Sequence, residues 1–239
     1  MSSGLYNALS GAKAQMQVLD VIANNLANAN TTGFKGDRTS FETMLKQARD
    51  PDAAKQLTFT TVSRTLADQS QGTINQTGVA LDLAIDGEGF FKIQGPSATS
   101  YTRQGAFRLN NEGQLVTPTG LPVLGENGPI TLTSADVNIN KDGIIAFEGA
   151  EVGRIPVYAF EPGVPLEKRD DGLFVPPTGV EPSLVEQPTV VQGGLEMSNV
   201  NVMREMSRMT QGMRAFEAYQ KMIKQFGELG KSDELGSVG

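Results

Sequence analysis

All twelve prolines of this 239-residue chain fall between Pro51 and Pro188, so the first 50 and the last 51 residues contain none. Proline is the residue that helix interiors tolerate least, so the two ends are free to form long helices and the middle is not. This predicts an α+β chain: paired N- and C-terminal α-helices, coiled-coil-like, with an inserted all-β antiparallel domain. In the N-terminal piece, Leu5, Leu9, Ala12, Met16, Leu19, Ala23 and Leu26 recur at alternating spacings of 4 and 3, an apolar seam widened by Ile22. Ser2 or Ser3 suits its start and Asn28, Asn30 or Gly33 its end, which places a helix over residues 4–27.

The C-terminal piece repeats the pattern in Val202, Met206, Met209, Met213 and Phe216, then runs through Tyr219 or Gln220 to Ile223 and Phe226, with Asn199 or Asn201 as the cap. Six of the nine methionines lie between Met197 and Met222, and a flexible thioether packs adaptably against several neighbours. Two narrow seams can pair only if the middle returns the chain to its start. Isolated helices gain little stability, so both ends are expected to be loose until partners cover them.

The middle carries strand patterns near residues 57–66, 90–94, 105–109 and 154–160, separated by turn dipeptides Asp86-Gly87, Asn127-Gly128, Asp142-Gly143 and Asp171-Gly172. The expected organisation has four parts. Residues 1–35 form the N-terminal helix of an inner helical domain. Residues 36–75 are a connector with a short amphipathic helix (Phe41, Met44, Leu45, Ala48) and an extended segment. Residues 76–195 form the β domain, and residues 196–239 the C-terminal helix plus a tail from Lys231.

The chain has no Cys and no His, and 20 basic against 27 acidic residues give a net charge of −7. Disulfides, zinc sites built on Cys or His, and imidazole or thiolate catalysis are thereby excluded. An acidic balance lacks the basic footprint of nucleic-acid binding. No stretch approaches the ~18 apolar residues of a membrane span, and the first residues lack the basic and apolar regions of a signal peptide, so any export is expected to use another route.

Several sequences invite chemistry and read better as turns. Gly87-Glu-Gly89 runs into a strand pattern, whereas phosphate cradling needs a helix N-terminus. Residues 138–143 have the oxygen spacing of a calcium loop but place Gly149 where the bidentate Glu belongs. Asp86 with Glu88, and Asp170 with Asp171, are carboxylate pairs at predicted turns, a weak basis for glycoside hydrolysis. Asn30-Thr-Thr32 and Asn75-Gln-Thr77 are formal glycosylation sequons that fit helix-end and turn chemistry.

One stretch is long and specific: Val21-Ile-Ala-Asn-Asn-Leu-Ala-Asn-Ala-Asn-Thr-Thr-Gly-Phe34-Lys35. It resembles the N-terminal signature of the bacterial flagellar rod and hook axial proteins. The resemblance continues in Leu81-Asp-Leu-Ala-Ile-Asp-Gly-Glu-Gly-Phe-Phe91, Tyr101-Thr-Arg-Gln-Gly-Ala-Phe107 and Leu195-Glu-Met-Ser-Asn-Val200, and so covers essentially the whole chain. Gly125-Glu-Asn-Gly-Pro-Ile130, Asn140-Lys-Asp-Gly-Ile144 and Arg169-Asp-Asp-Gly-Leu-Phe174 look most like proximal members of the rod, with distal members as competitors. The resemblance implies a structural subunit of the basal-body rod in the periplasmic space. Its partners are copies of itself and other rod proteins. Export runs through the flagellar type III apparatus without a cleaved signal peptide. No enzyme activity, cofactor, metal, small-molecule substrate or nucleic acid is implied.

The expected assembly interface is Leu5, Leu9, Met16, Leu19, Ile22 and Leu26 with Val202, Met206, Met209, Met213, Phe216 and Ile223. The matching family motif positions are Asn24, Asn25, Asn28, Thr32, Gly33, Phe34, Ser198 and Asn199. Rival classes are a wall-cutting hydrolase, which lacks a convincing carboxylate pair, and a secreted glycan-binding or adhesin module, for which the terminal helices would be dispensable.

Overall fold

In the computed structural model, which describes residues 2–46, 57–95, 98–161, 163–169 and 171–236, the two proline-free ends are helices. Helix α1 spans Ser2–Ala27 and α2 spans Val202–Gly236. The Asn201 Oδ1 accepts the Arg204 N–H at 3.0 Å, a side-chain cap on the first turn of α2. Helix α2 runs to Gly236, past Lys231, where a tail was expected. No described helix is long and apolar enough to cross a membrane. The chain is mixed α+β, with the strands between the helices.

The strands pair antiparallel throughout their described registers. The first two, β1 (Asp37–Lys46) and β2 (Leu57–Ala67), form a two-stranded sheet. This corrects the short helix expected in the connector: Phe41, Met44 and Leu45 lie in a strand, and Ala48 lies outside the described residues. The run also reads with period two as Phe41, Thr43 and Leu45. In so short a run, pairing with the next strand, β2, decides between the two periods.

The chain divides into two compact units. One comprises residues 1–27, 37–66 and 201–239, and the other residues 28–36 and 67–200. In the second unit, β3 (Ile74–Gln76), β4 (Leu83–Ile85), β5 (Phe90–Gln94) and β6 (Thr99–Thr102) are followed by thirteen further short strands among the described residues. Strands β6 and β5 are the centre of a six-stranded sheet whose outer strands are Glu167–Lys168 and Ser183–Leu184. Successive side chains of a strand point to opposite faces, and β5 uses this to serve two cores. Phe91 and Ile93 join Leu83, Leu115, Ile145 and Val157 on one side, while Phe90 joins Tyr101, Phe160 and Phe174 on the other. The Tyr101 and Phe160 rings meet edge to face at 5.0 Å. Full burial of each large apolar side chain is worth about 1.5–3 kcal/mol.

The suspected calcium loop is a turn: the Asn140 Oδ1 accepts the N–H groups of Asp142 at 3.0 Å and Ile144 at 2.9 Å. Gly87-Glu-Gly89 leads into β5, with no helix to open. Asp86 and Glu88 are exposed on that turn, as is Asp171 on its own, while Asp170 lies outside the described residues.

Candidate functional site

After α1 the chain turns, with the Asn28 carbonyl accepting the Thr31 N–H at 3.1 Å. It then passes through Gly33, whose φ of 67° is readily adopted only without a Cβ. This segment meets two others of the same unit, residues 67–73 and 193–200. The Gly33 N–H donates to the Glu196 carbonyl at 2.7 Å, the Met197 N–H to the Thr73 carbonyl at 2.8 Å, and the Asp68 N–H to the Gly36 carbonyl at 2.7 Å. Asn199 ties all three together. Its Oδ1 accepts the Gly36 N–H at 2.8 Å, and its Nδ2 donates to the carbonyls of Asp68 at 2.8 Å and Ser70 at 3.0 Å.

Of the family motif positions, Gly33, Phe34 and Asn199 thus converge on this junction. Phe34 is buried beneath the Lys168 ammonium, 3.6 Å above its ring. Thr32 is half-buried nearby in sequence, and the Ser198 Oγ accepts the Val200 N–H at 3.2 Å. Asn25 belongs to the other unit. It is buried, and its amide pairs in both directions with the Asp37 backbone, at 2.9 and 2.8 Å. Asn24 is exposed on α1, and the Asn28 side chain takes the Thr31 hydroxyl at 3.2 Å.

Beneath the junction lies a group that sequence reasoning did not single out. Lys35, Arg103 and Glu196 are 1%, 3% and 1% exposed. The Lys35 Nζ stands 2.6 Å from Glu196 Oε1, and the Arg103 Nη1 stands 3.2 Å from Glu196 Oε2. The remaining bonds go to the backbone: Lys35 donates to the Ser70 carbonyl at 2.8 Å, the Gly72 N–H donates to Glu196 Oε1 at 2.8 Å, and Arg103 donates to the carbonyls of Ile85 and Gly87. Two cations thus share one carboxylate in a dry site, where charge is tolerated only when paired. The available sequence signal was the placement of two of the charges beside apolar residues, Lys35 after Phe34 and Glu196 between Leu195 and Met197; Arg103, between Thr102 and Gln104, carried none.

Burial holds the Lys35 ammonium below its usual 10.5, against the opposing pull of Glu196. Burial likewise lowers the Arg103 guanidinium below its ordinary value, against the pull of Glu196. Between the lowered value of Lys35 and 10.5 the unfolded chain binds more protons than the folded one, so this group favours folding increasingly as pH rises through that window. Tyr101 and Tyr158, raised above 10.0 mainly by burial, act oppositely as pH rises through their raised values. Comparison with Lys35→Met isolates the lysine. The urea midpoint of the native chain is expected to gain on that of the variant as pH approaches 10.5; a constant difference would contradict this assignment.

The helix faces form the second candidate surface. Helices α1 and α2 lie against each other antiparallel, Gly4 facing Phe226, Gly11 facing Tyr219 and Gly212 facing Leu19. A Cβ on Gly11 would stand 2.5 Å from the Tyr219 ring, and one on Gly212 would stand 2.8 Å from a Leu19 methyl. Large rings therefore sit on small residues, and Ala8, Ala12, Val18 and Ile22 are buried along α1. The predicted seam is offset from this buried face by about one residue, roughly 100° around the helix. Ile22 is buried, and Leu19, Leu26, Met209, Phe216 and Ile223 are half-buried. Leu5, Leu9, Met16, Val202, Met206 and Met213 are exposed, Leu9 at 55% and Met206 at 53%. These six therefore take little part in the contact between α1 and α2 that the sequence suggested for them.

Comparisons with known proteins cover the same segments. Family models described as "Flagella basal body rod protein", "Flagellar hook protein FlgE/F/G D1 domain" and "Flagellar basal body rod FlgEFG protein C-terminal" match residues 5–35, 84–147 and 191–232. The chain is 36% identical to the flagellar basal-body rod protein FlgF of Caulobacter vibrioides, covering 100% of both chains. It is 34% identical to FlgF of Mesorhizobium japonicum, over 94% of this chain and 93% of the relative. It is also 34% identical to the basal-body rod protein FlgG of Bacillus subtilis, over 96% and 97%. With motifs at both termini and in the strand-rich unit all matched, the chain belongs to the flagellar basal-body rod protein family.

Proposed function

We propose that this chain is a structural subunit of the proximal rod, of the FlgF type, which stacks helically through its terminal helices and passes torque toward the hook. The relatives of matching length named FlgF support this placement, as do the turn motifs of the strand-rich unit. In this reading α1 and α2 pair in coiled-coil fashion as an inner helical domain, and the strand-rich unit is the outer β domain. Export uses the flagellar type III apparatus, and the assembled rod lies in the periplasmic space. The subunit catalyses no reaction.

The observation that carries the reading is the pair of exposed stripes. Leu5, Leu9 and Met16 on α1, with Val202, Met206 and Met213 on α2, stay open while smaller residues make the contact between the helices. A head-to-tail contact that does not close generates an open filament, and exposed apolar stripes supply its driving force. The junction would then hold the crossing segments in fixed register while load passes through them.

Leu9→Asp and Met213→Asp test this directly, because both positions are exposed and neither substitution disturbs a core. Losing one large apolar contact costs about 1.5–3 kcal/mol per subunit, roughly tenfold or more in the concentration needed for assembly. Completed rods and swimming should be lost while the purified variants keep the native circular dichroism spectrum. Normal swimming in both would overturn the reading. A distal, FlgG-type place is the competing reading, given the similarity to the Bacillus subtilis protein. Complementation of FlgF-deficient against FlgG-deficient cells separates the two.

A further inference from the structure

We propose that Met16, Met206 and Met213 form an oxidation-sensitive surface: conversion of any of them to the sulfoxide by a peroxide bars the subunit from the rod. The inference rests on the rod-subunit reading and adds a covalent modification that acts on its assembly surface.

The three residues come from two helices but share one flank of the pair. Met16 follows Gln15, which meets Gly212 across the helix contact, and Met213 follows Gly212 itself. Met206 follows Glu205, which is buried. One residue further along a helix turns about 100°, and in an antiparallel pair that turn carries side chains of both helices to the same flank. Leu5, one residue after the Gly4 that faces Phe226, joins them there. All three methionines are more than half exposed. Two other exposed methionines lie off this flank. Met203 is about half a turn round the helix from Glu205, and Met222 stands one residue before the half-buried Ile223, on the opposite flank.

The chain has no cysteine, so all its sulfur is thioether and no thiol consumes the oxidant first. The methionine Sδ lone pair attacks one oxygen of hydrogen peroxide. The S–O bond forms, the O–O bond breaks, and the other oxygen leaves as water; sulfur loses two electrons and the peroxide gains them. A flexible apolar side chain becomes a polar one. In the free subunit this change is solvated and costs little. In an apolar contact the new oxygen is buried, and the neighbouring Leu5 has no donor to offer it, so the oxidised subunit is rejected by about tenfold or more.

The test follows the native chain in cells that lack methionine sulfoxide reductases. A pulse of hydrogen peroxide is quenched with catalase, and rods are then allowed to form. Peptide mass spectrometry compares the chain in isolated basal bodies with unassembled chain from the same cells. The sulfoxide share at Met16, Met206 and Met213 should be about tenfold lower in the basal bodies, while Met203 and Met222 carry equal shares in both. Equal shares at all five positions, or equal depletion at all five, would overturn the proposal and leave the rod reading intact. Absence of the chain from basal bodies of untreated cells would overturn both. Substitution gives an independent check, because leucine keeps the volume of methionine without its sulfur. A chain with Met16→Leu, Met206→Leu and Met213→Leu should build about tenfold more rods after the pulse than one with Met203→Leu and Met222→Leu. Equal peroxide sensitivity of the two would also count against the proposal.

Discussion

Glu196→Gln is expected to lower the stability of the strand-rich unit by about 3–5 kcal/mol, the cost of stranding buried charge. The carboxylate neutralises Lys35 and Arg103 and accepts the Gly72 N–H, so the amide that replaces it leaves two cations facing each other without their counter-ion. A loss of that size is a large part of the 5–15 kcal/mol that holds typical domains together. Urea unfolding of the purified variant measures it, and a shift below 1 kcal/mol would contradict the assignment. A second variant separates charge from shape. Adding Lys35→Met to Glu196→Gln removes one stranded cation, and the pair should cost less than the sum of the two single changes. Strict additivity would mean that the two groups do not sense each other.

Gly33→Ala should be nearly as damaging, through geometry rather than charge. At φ 67° the new methyl costs about 1–2 kcal/mol of backbone strain. It would also collide with the backbone of Arg103 and Gln104, and crowding a packed site adds about 1–3 kcal/mol. The Gly33 N–H bond to the Glu196 carbonyl would be pulled apart with it. Amide hydrogen exchange localises the effect: residues 31–36 and 194–199 should lose protection, while the hairpin end where Phe147 pairs with Ala150 keeps its own. Unchanged protection at the junction would contradict this account.

These two positions also mark what the sequence could and could not convey. The helices were legible because a proline gap and a 4 and 3 spacing both point the same way, and β5 was legible at its observed bounds because Phe90 to Gln94 alternate between two turns. The faces of the helices were not. A periodicity argument weights the largest apolar residues, whereas close approach of α1 and α2 selects glycine opposite Tyr219 and Phe226. The strand at Phe41 was not legible because a short run fits two periods and only its pairing with β2 selects between them. The buried charges were the least accessible. Lysine, arginine and glutamate are ordinarily exposed, and Lys35 meets Glu196 across 161 residues of sequence, a juxtaposition that no local pattern encodes. Gly33 and Asn199 were legible through resemblance, but the polar clamp they form was not.

The Gly36 carbonyl and the Asp68 N–H, 2.7 Å apart, are the points at which the chain leaves and rejoins the junction on either side of β1 and β2. An excursion whose ends are pinned together is, in effect, a splice site. Doubling the number of residues between two such points adds only about 0.6 kcal/mol of closure entropy, and the junction itself does not register the change. Asn199 and Lys35 grip this boundary chiefly through the carbonyls of Asp68 and Ser70, with one further bond from the Asn199 Nδ2 to the Ser70 Oγ at 3.1 Å. The excursion through β1 and β2 is therefore a place where the chain can accept a tag, an added loop or a different length and still close on the same frame.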